Sequence, residues 1–416
     1  MNWLGLLLVI AAAGDIDAEF VQGVVPIYSD EPTGSWDELY QTFYVRRFTT
    51  GENYFHRLSF SPPSFQFIGL TDDDAAYAQA LDLLERVSGL PRSTMEEAPP
   101  ARRLIFFRDL WTVSEQLQRS RNGSSKQVQQ RRQEILQRLA RVMRRLELSE
   151  AEVLSLPHTL KQIQAAAIYP AKFDPDKPDQ AFAPPDLLDD NTPWVTIKTS
   201  KRVAVGAPHH QQSVSDRSLF SIHIQVPPGS AAVEELLAAS YKNNDQFDFQ
   251  PGTVLVLLRR ALAPLTDGQL KVTNVVESLQ TIVIPEKPDR FTKNAKLVLD
   301  RHDFLQGKAG LLALSPRTPI DAFGFESAGQ WAMRNKNDAD GEILVLGRHK
   351  GHGGIPSLGH CVACHAGNRG ALFANFGPFR SYLSNNRELA TQVEQDKAKS
   401  EAWQDYLKLR QNPHIR

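Results

Sequence analysis

The chain is 416 residues long, beyond what one hydrophobic core usually serves, so length alone predicts two domains. Its 47 basic and 48 acidic side chains nearly cancel, which excludes the strong field of a protein that grips nucleic acid or an anionic membrane through charge. Hydrophobic residues at 41% and charged residues at 23% are those of a globular chain rather than a disordered or fibrous one.

The start, MNWLGLLLVIAAAGDIDA, reads as a secretory signal over residues 1–18. Trp3 to Ala13 is an apolar run followed by small residues, too short to span a bilayer. It lacks the usual Lys or Arg before the run. The other reading is an N-terminal strand or helix buried in the fold. No later stretch is apolar and long enough to predict a transmembrane helix.

Residues 19–168 read as a helical domain. In TDDDAAYAQALDLLERVSGLP, Thr71 can cap a helix whose first turn holds Asp72, Asp73 and Asp74, where the helix dipole favours acids. Tyr77, Leu81 and Leu84 share a face, and Gly89 and Pro91 end the element. ARRLIFFRDLWTV gives a second helix with Leu104, Phe107 and Trp111 on a stripe. QQRRQEILQRLARVMRRLEL gives a third with Ile135, Leu139, Val142 and Leu146 inward. Its arginines, 131, 132, 138, 141, 144 and 145, could face nucleic acid, but neutral overall charge favours a solvated face. Ser149 and Glu152 fit a capping box opening a fourth helix.

Residues 169–192 are rich in Pro and Asp and cannot hold a regular helix, so the domain boundary is placed there. From 193 the pattern turns β-like. Phe220, Ile222, Ile224 and Val226 alternate with Ser221, His223 and Gln225, as in a half-buried strand that leaves His223 on the polar face. GTVLVLLRRAL, ESLQTIVIP and GKAGLLALSP are further strands, and SAAVEELLAASYKNN is a short helix. The expected fold is α+β: an all-α N-terminal domain, a β-rich domain with an antiparallel sheet over residues 193–385, and a helical tail at 386–416.

Chemistry concentrates in SLGHCVACHAGNRG. It holds the only two cysteines, Cys361 and Cys364, with His365 directly after. A disulfide would close too small a loop to add much stability. Two thiols at this spacing can each form a thioether to one haem vinyl group, and the adjacent imidazole can then ligate the iron. Zinc would need two more ligands; His349, His352 and His360 are near but irregularly spaced. A redox dithiol needs a thioredoxin-like βαβ setting, and nothing around the motif reads that way. Haem attachment fits best, with haem c as cofactor. Arg369 and Arg380 are candidates for pairing with its propionates, because guanidinium matches carboxylate bidentately; the plainer alternative is a solvated arginine. No methionine follows His365; the four methionines are Met1, Met95, Met143 and Met333. Of these only Met333 lies in the proposed haem domain, and His414 is the remaining imidazole after His365, so a Met or His sixth ligand stays open but neither is well signposted; the expectation is a five-coordinate iron with an apolar distal pocket open to a small ligand.

Residues 190–385 also resemble the cytochrome P-four-sixty family and its relatives, the cytochromes c′-beta. The resemblance runs through PWVTI, FSIHIQVPPGSAAVEELLAASYKNNDQFDFQPGTVLV, GQWAM and CVACHAGNRGALFANFGPFR, with Asn368, Phe373, Phe376 and Arg380 after the haem motif. It implies a β-rich, exported mono-haem protein. Members that oxidise hydroxylamine carry a porphyrin-linked lysine on the Gly-Thr strand. Leu257 stands at that position here and cannot form the bond. The resemblance therefore implies an electron carrier, or a protein binding a small nitrogen oxide, rather than a hydroxylamine oxidase. Phe220, Val256 and Trp331 are candidate distal residues, each also readable as plain core. The partners expected are periplasmic redox proteins and a small gas, not nucleic acid.

Overall fold

The structure is a computed structural model, and it describes residues 34–44, 74–119, 125–177, 180–189, 192–198, 217–227, 249–284, 293–299, 301–313 and 386–411, with short pieces at 28, 46–47, 53–54, 233, 235 and 382–383. It is α+β, built on one antiparallel sheet and a set of helices. The helices before the sheet are α1 (Ser35–Tyr44), α2 (Asp74–Ser88), α3 (Arg92–Met95), α4 (Pro100–Arg119), α5 (Lys126–Arg144), α6 (Glu150–Leu154) and α7 (Thr159–Ala165). A small ladder of β1 (Arg46–Arg47) and β2 (Asn53–Tyr54) follows α1.

The long helices follow from their periodicity. In α5, Ile135, Leu139 and Val142 are fully buried, as is Leu146 just beyond it. Ser125 caps its start by accepting from the Val128 amide. Ser149 and Glu152 form the reciprocal capping box that opens α6. The Thr71 cap lies outside the described residues.

The arginines of α5 differ from the solvated face expected of them. Arg138 and Arg141 pair with Glu85 of α2, and Arg131 pairs with Asp74. Arg145 holds Glu96 through two bonds of 2.9 Å and donates to the Ser88 and Leu90 carbonyls. These four side chains link α5 to α2 and to the turn around Glu96, while Arg144 is exposed as expected.

Among the described residues the sheet has seven strands: β3 (Val195–Lys198), β4 (Ser218–Gln225), β5 (Val254–Pro264), β6 (Leu270–Val283), β7 (Lys293–Leu299), β8 (Leu311–Ala313) and β9 (Tyr382–Leu383), with α8 (Arg301–Leu305) between β7 and β8. Their order is β8-β7-β6-β5-β4-β3-β9, every neighbour antiparallel. Strands β3 to β8 form a meander, and β9 returns to the far edge beside β3. Helices α9 (Asn386–Ala398) and α10 (Glu401–Gln411) close the chain.

The Pro/Asp-rich stretch does not separate two cores. A single buried cluster runs from Trp36, Leu104, Phe107 and Leu139 to Val256, Leu258, Leu279 and Leu297 on the sheet, and on to Trp403 and Tyr406. The stretch itself is packed into it: Phe182 meets Phe173 edge-on at 5.9 Å, and Leu187 is fully buried. Tyr169 accepts from the Ala313 amide at 2.9 Å and donates to the Leu311 carbonyl at 3.2 Å, so it fixes edge strand β8. Proline denies this stretch a helix but does not stop its apolar side chains from finding the core. The segment after α5 also extends the sheet, through a parallel bridge of Leu148 with Leu265.

Candidate functional site

Cys361, Cys364, His365, Arg369 and Arg380 lie outside the described residues, as do Trp331, Asn368, Phe373, Phe376, His349, His352 and His360. The described chain fixes both ends of the stretch that carries them. It leaves the sheet at Ala313, the end of edge strand β8, and rejoins it at Tyr382, the start of the opposite edge strand β9.

The two faces of that sheet are not alike. One is covered by the helices through the large core. The other bears a small apolar cluster of Ile222, Ile224, Val226, Leu255 and Ile284, with Val233 and Phe249 against it and Val195, Leu257 and Ile282 partly buried at its margin. Alternation along β5 separates Leu257, the cross-link position of the resemblance, from Val256, a candidate distal residue. Leu257 belongs to this second face, opposite Ile222 in the ladder, whereas Val256 is fully buried in the core under the helices. Val256 is thus core. Phe220 is half-buried, two residues before Ile222 on the same side of β4.

His223 is not on a solvent face. It is fully buried, facing the large core, with Nδ1 3.1 Å from Thr196 Oγ1 and Nε2 2.8 Å from Ser221 Oγ. The alternation along β4 holds, but its polar side faces the large core under the helices, so polar residues there bond to one another instead of to water. Burial pushes the His223 imidazole down to about 3, with Arg260 adding to the effect. The folded state therefore binds this proton more weakly than the unfolded chain. Its contribution is complete above the ordinary histidine value of about 6.5 and is lost as pH falls from there towards 3. Urea unfolding between pH 7 and pH 4 is expected to show a slope of up to about 1.4 kcal/mol per pH unit from this residue, and His223→Gln to remove it.

Three further described candidates for an iron ligand are engaged elsewhere. His158 caps α7 by accepting from the Lys161 amide. Met95 and Met143 are fully buried in the helical core, and Met95 Sδ accepts from Trp36 Nε1 at 3.3 Å.

Three buried charge networks escaped the sequence reading. Glu277 of β6, wholly buried, pairs with Arg108 of α4 and with Arg259 Nε at 2.6 Å, and accepts from Ser218 Oγ at 2.8 Å. Arg217 pairs with Glu115 at 2.8 Å. Asp109 accepts two bonds from Arg301, at 2.8 and 2.7 Å, and one from the Tyr28 hydroxyl; Arg301 also donates to Tyr40 at 2.7 Å. Burial works against the Arg301 charge, but Asp109 and the two phenols hold it above the ordinary arginine value. Burial pushes Arg108 down to about 10 against the pull of Glu277. The signal was present: Arg108 and Asp109 interrupt an apolar run between Phe107 and Leu110, and Arg259 and Arg260 do the same between Leu258 and Ala261. Register shifts in the β5–β6 ladder fall at Arg259 to Leu262, beside this network.

Among the described residues no group of three or more His, Cys, Asp and Glu could hold a metal ion. None of their helices is long and apolar enough to cross a membrane. No protein family, curated protein or solved structure matches this chain.

Proposed function

We propose that the protein is an exported, mono-haem c-type cytochrome that passes single electrons between periplasmic partners. The observation that carries this reading is the sequence Cys361-Val-Ala-Cys364-His365, which holds every cysteine of the chain. Cys361 and Cys364 would bond the haem vinyl groups and His365 would ligate the iron, with Arg369 and Arg380 the candidate partners of its propionates. The donor set fits the group: two thiolates for covalent attachment and one imidazole of suitable ligand strength. Bound, the haem supplies a ferrous/ferric couple.

A second reading is a five-coordinate haem protein that binds or converts a small nitrogen oxide such as nitric oxide or hydroxylamine. One observation favours it. No methionine follows His365, and three described alternatives are committed, with Met95 and Met143 in the helical core and both nitrogens of His223 bonded. Leucine at 257 speaks against the cross-linked, hydroxylamine-oxidising variant. Titrating the reduced protein with carbon monoxide separates the two. A two-ligand electron carrier is expected to show little spectral change, and an open iron a stoichiometric one.

A further inference from the structure

The C-terminal helix α10 is docked by aromatic packing and by one buried carboxylate. Trp403 and Tyr406 are almost wholly buried, with ring centroids 5.0 Å from Trp403 to Trp111 and 5.6 Å from Tyr406 to Phe107. Trp403 Nε1 donates to the Gly268 carbonyl at 3.1 Å. Gly268, at φ 88°, turns the β5–β6 connection directly beneath the helix; a Cβ there would lie 3.0 Å from Arg410 Nη1 and 3.3 Å from Leu407 Cδ2. At the centre of this contact stands Glu147, in the turn after α5, with its side chain 2% exposed. Both of its oxygens face α10: Oε1 accepts from the Tyr406 hydroxyl at 2.7 Å, and Oε2 is 2.9 Å from Arg410 Nη2.

We propose that α10 is a proton-dependent latch, held hardest when Glu147 carries a proton and loosened when it ionises. Docking carries the carboxyl from water into the interior. The compensation it meets there is one contact to a single Arg410 nitrogen, which also serves the Thr266 carbonyl, and one phenol. The other charged groups around it are few. Arg144 at the end of α5 favours the carboxylate, Asp267 in the β5–β6 turn opposes it, and Arg103 of α4 bonds the Glu147 backbone carbonyl rather than its side chain. Burial wins over Tyr406 and Arg410 and pushes the carboxyl up to about 7. The sign follows. The docked state binds this proton more tightly than the undocked state, whose carboxyl has the ordinary value near 4.3. Docking is therefore strongest in acid and weakens as pH rises through neutrality. When α10 lifts, Trp111, Phe107 and the β5–β6 turn are uncovered.

The test is amide hydrogen exchange of peptide 401–411 in the full-length protein between pH 5.5 and pH 8.5, corrected for intrinsic exchange. Wild type is expected to lose protection by at least about tenfold across that range. Glu147→Gln, which keeps the shape but cannot ionise, is expected to stay protected and flat. Arg410→Gln removes the opposing cation, so its loosening is expected at higher pH than in wild type. A flat wild-type profile, an unchanged slope in Glu147→Gln, or a midpoint in Arg410→Gln that stays put or falls would each overturn the proposal. So would uniform loss of protection in a folded Glu147→Gln protein, because the ion pair would then be what holds the helix. None of these readouts involves the haem.

Discussion

Glu277→Ala is expected to lower the unfolding free energy by about 3–5 kcal/mol, the usual cost of removing one partner from a buried ion pair. The carboxylate lies between Arg108 of α4 and Arg259 of β5, and the side chains of all three are at most 1% exposed. Removing it leaves two buried guanidiniums repelling one another across the helix–sheet junction, and Ser218 loses its acceptor. The position matters because α4 carries three buried charges that tie it to other elements: Arg108 to Glu277 of β6, Glu115 to Arg217 just before β4, and Asp109 to Arg301 at the start of α8. Glu277→Gln keeps the volume and is expected to cost nearly as much, which identifies charge rather than a cavity as the cause. Asp82→Ala is the control. Its pair with Arg86 is exposed on both sides, so a change within about 0.5 kcal/mol is expected. Urea midpoints of the three variants check the ranking, and a Glu277→Ala protein as stable as Asp82→Ala would contradict it.

The second large effect is chemical. Cys361→Ser with Cys364→Ser is expected to abolish covalent haem, read as loss of all haem stain on a denaturing gel after expression with c-type maturation. Each single variant retains one thiol and is expected to keep one thioether and part of the stain. His365→Ala is expected to leave attachment possible but to change the iron's coordination, visible in the absorption spectrum. Circular dichroism should be nearly unchanged in the cysteine pair, because the described helices and sheet contain neither cysteine. Full haem staining of the double variant would show that the thiols do something else.

How much of this was legible depends on whether a local pattern carried it. The helices around Ile135, Leu139 and Val142 and the box of Ser149 and Glu152 were readable because each depends on residues three or four apart. Strands β4 and β5 were readable from alternation and from a continuous apolar run. Strand β7 was missed: lysines at 293 and 296 break the apolar pattern, and only its neighbours β6 and β8 make it a strand. The burial of His223 was also missed, because period two tells which side a residue faces but not whether that side is roofed. The Pro/Asp-rich stretch looked like a linker because composition reports the absence of a helix and says nothing of Tyr169 reaching β8. The buried networks pair residues more than a hundred positions apart in most cases, as with Asp109 and Arg301, and no short-range pattern reports such pairs. The candidate haem site is legible for the opposite reason: Cys361, Cys364 and His365 are adjacent in the chain, so their chemistry can be read without the fold.

A pyridine haemochrome spectrum of the purified wild-type protein, taken before and after extraction with acidified acetone, tests covalent haem attachment most directly. The expected result is one haem per chain that stays with the protein and gives the spectrum of a porphyrin with both vinyl groups saturated. A colourless protein, or pigment that passes wholly into the solvent, would contradict it.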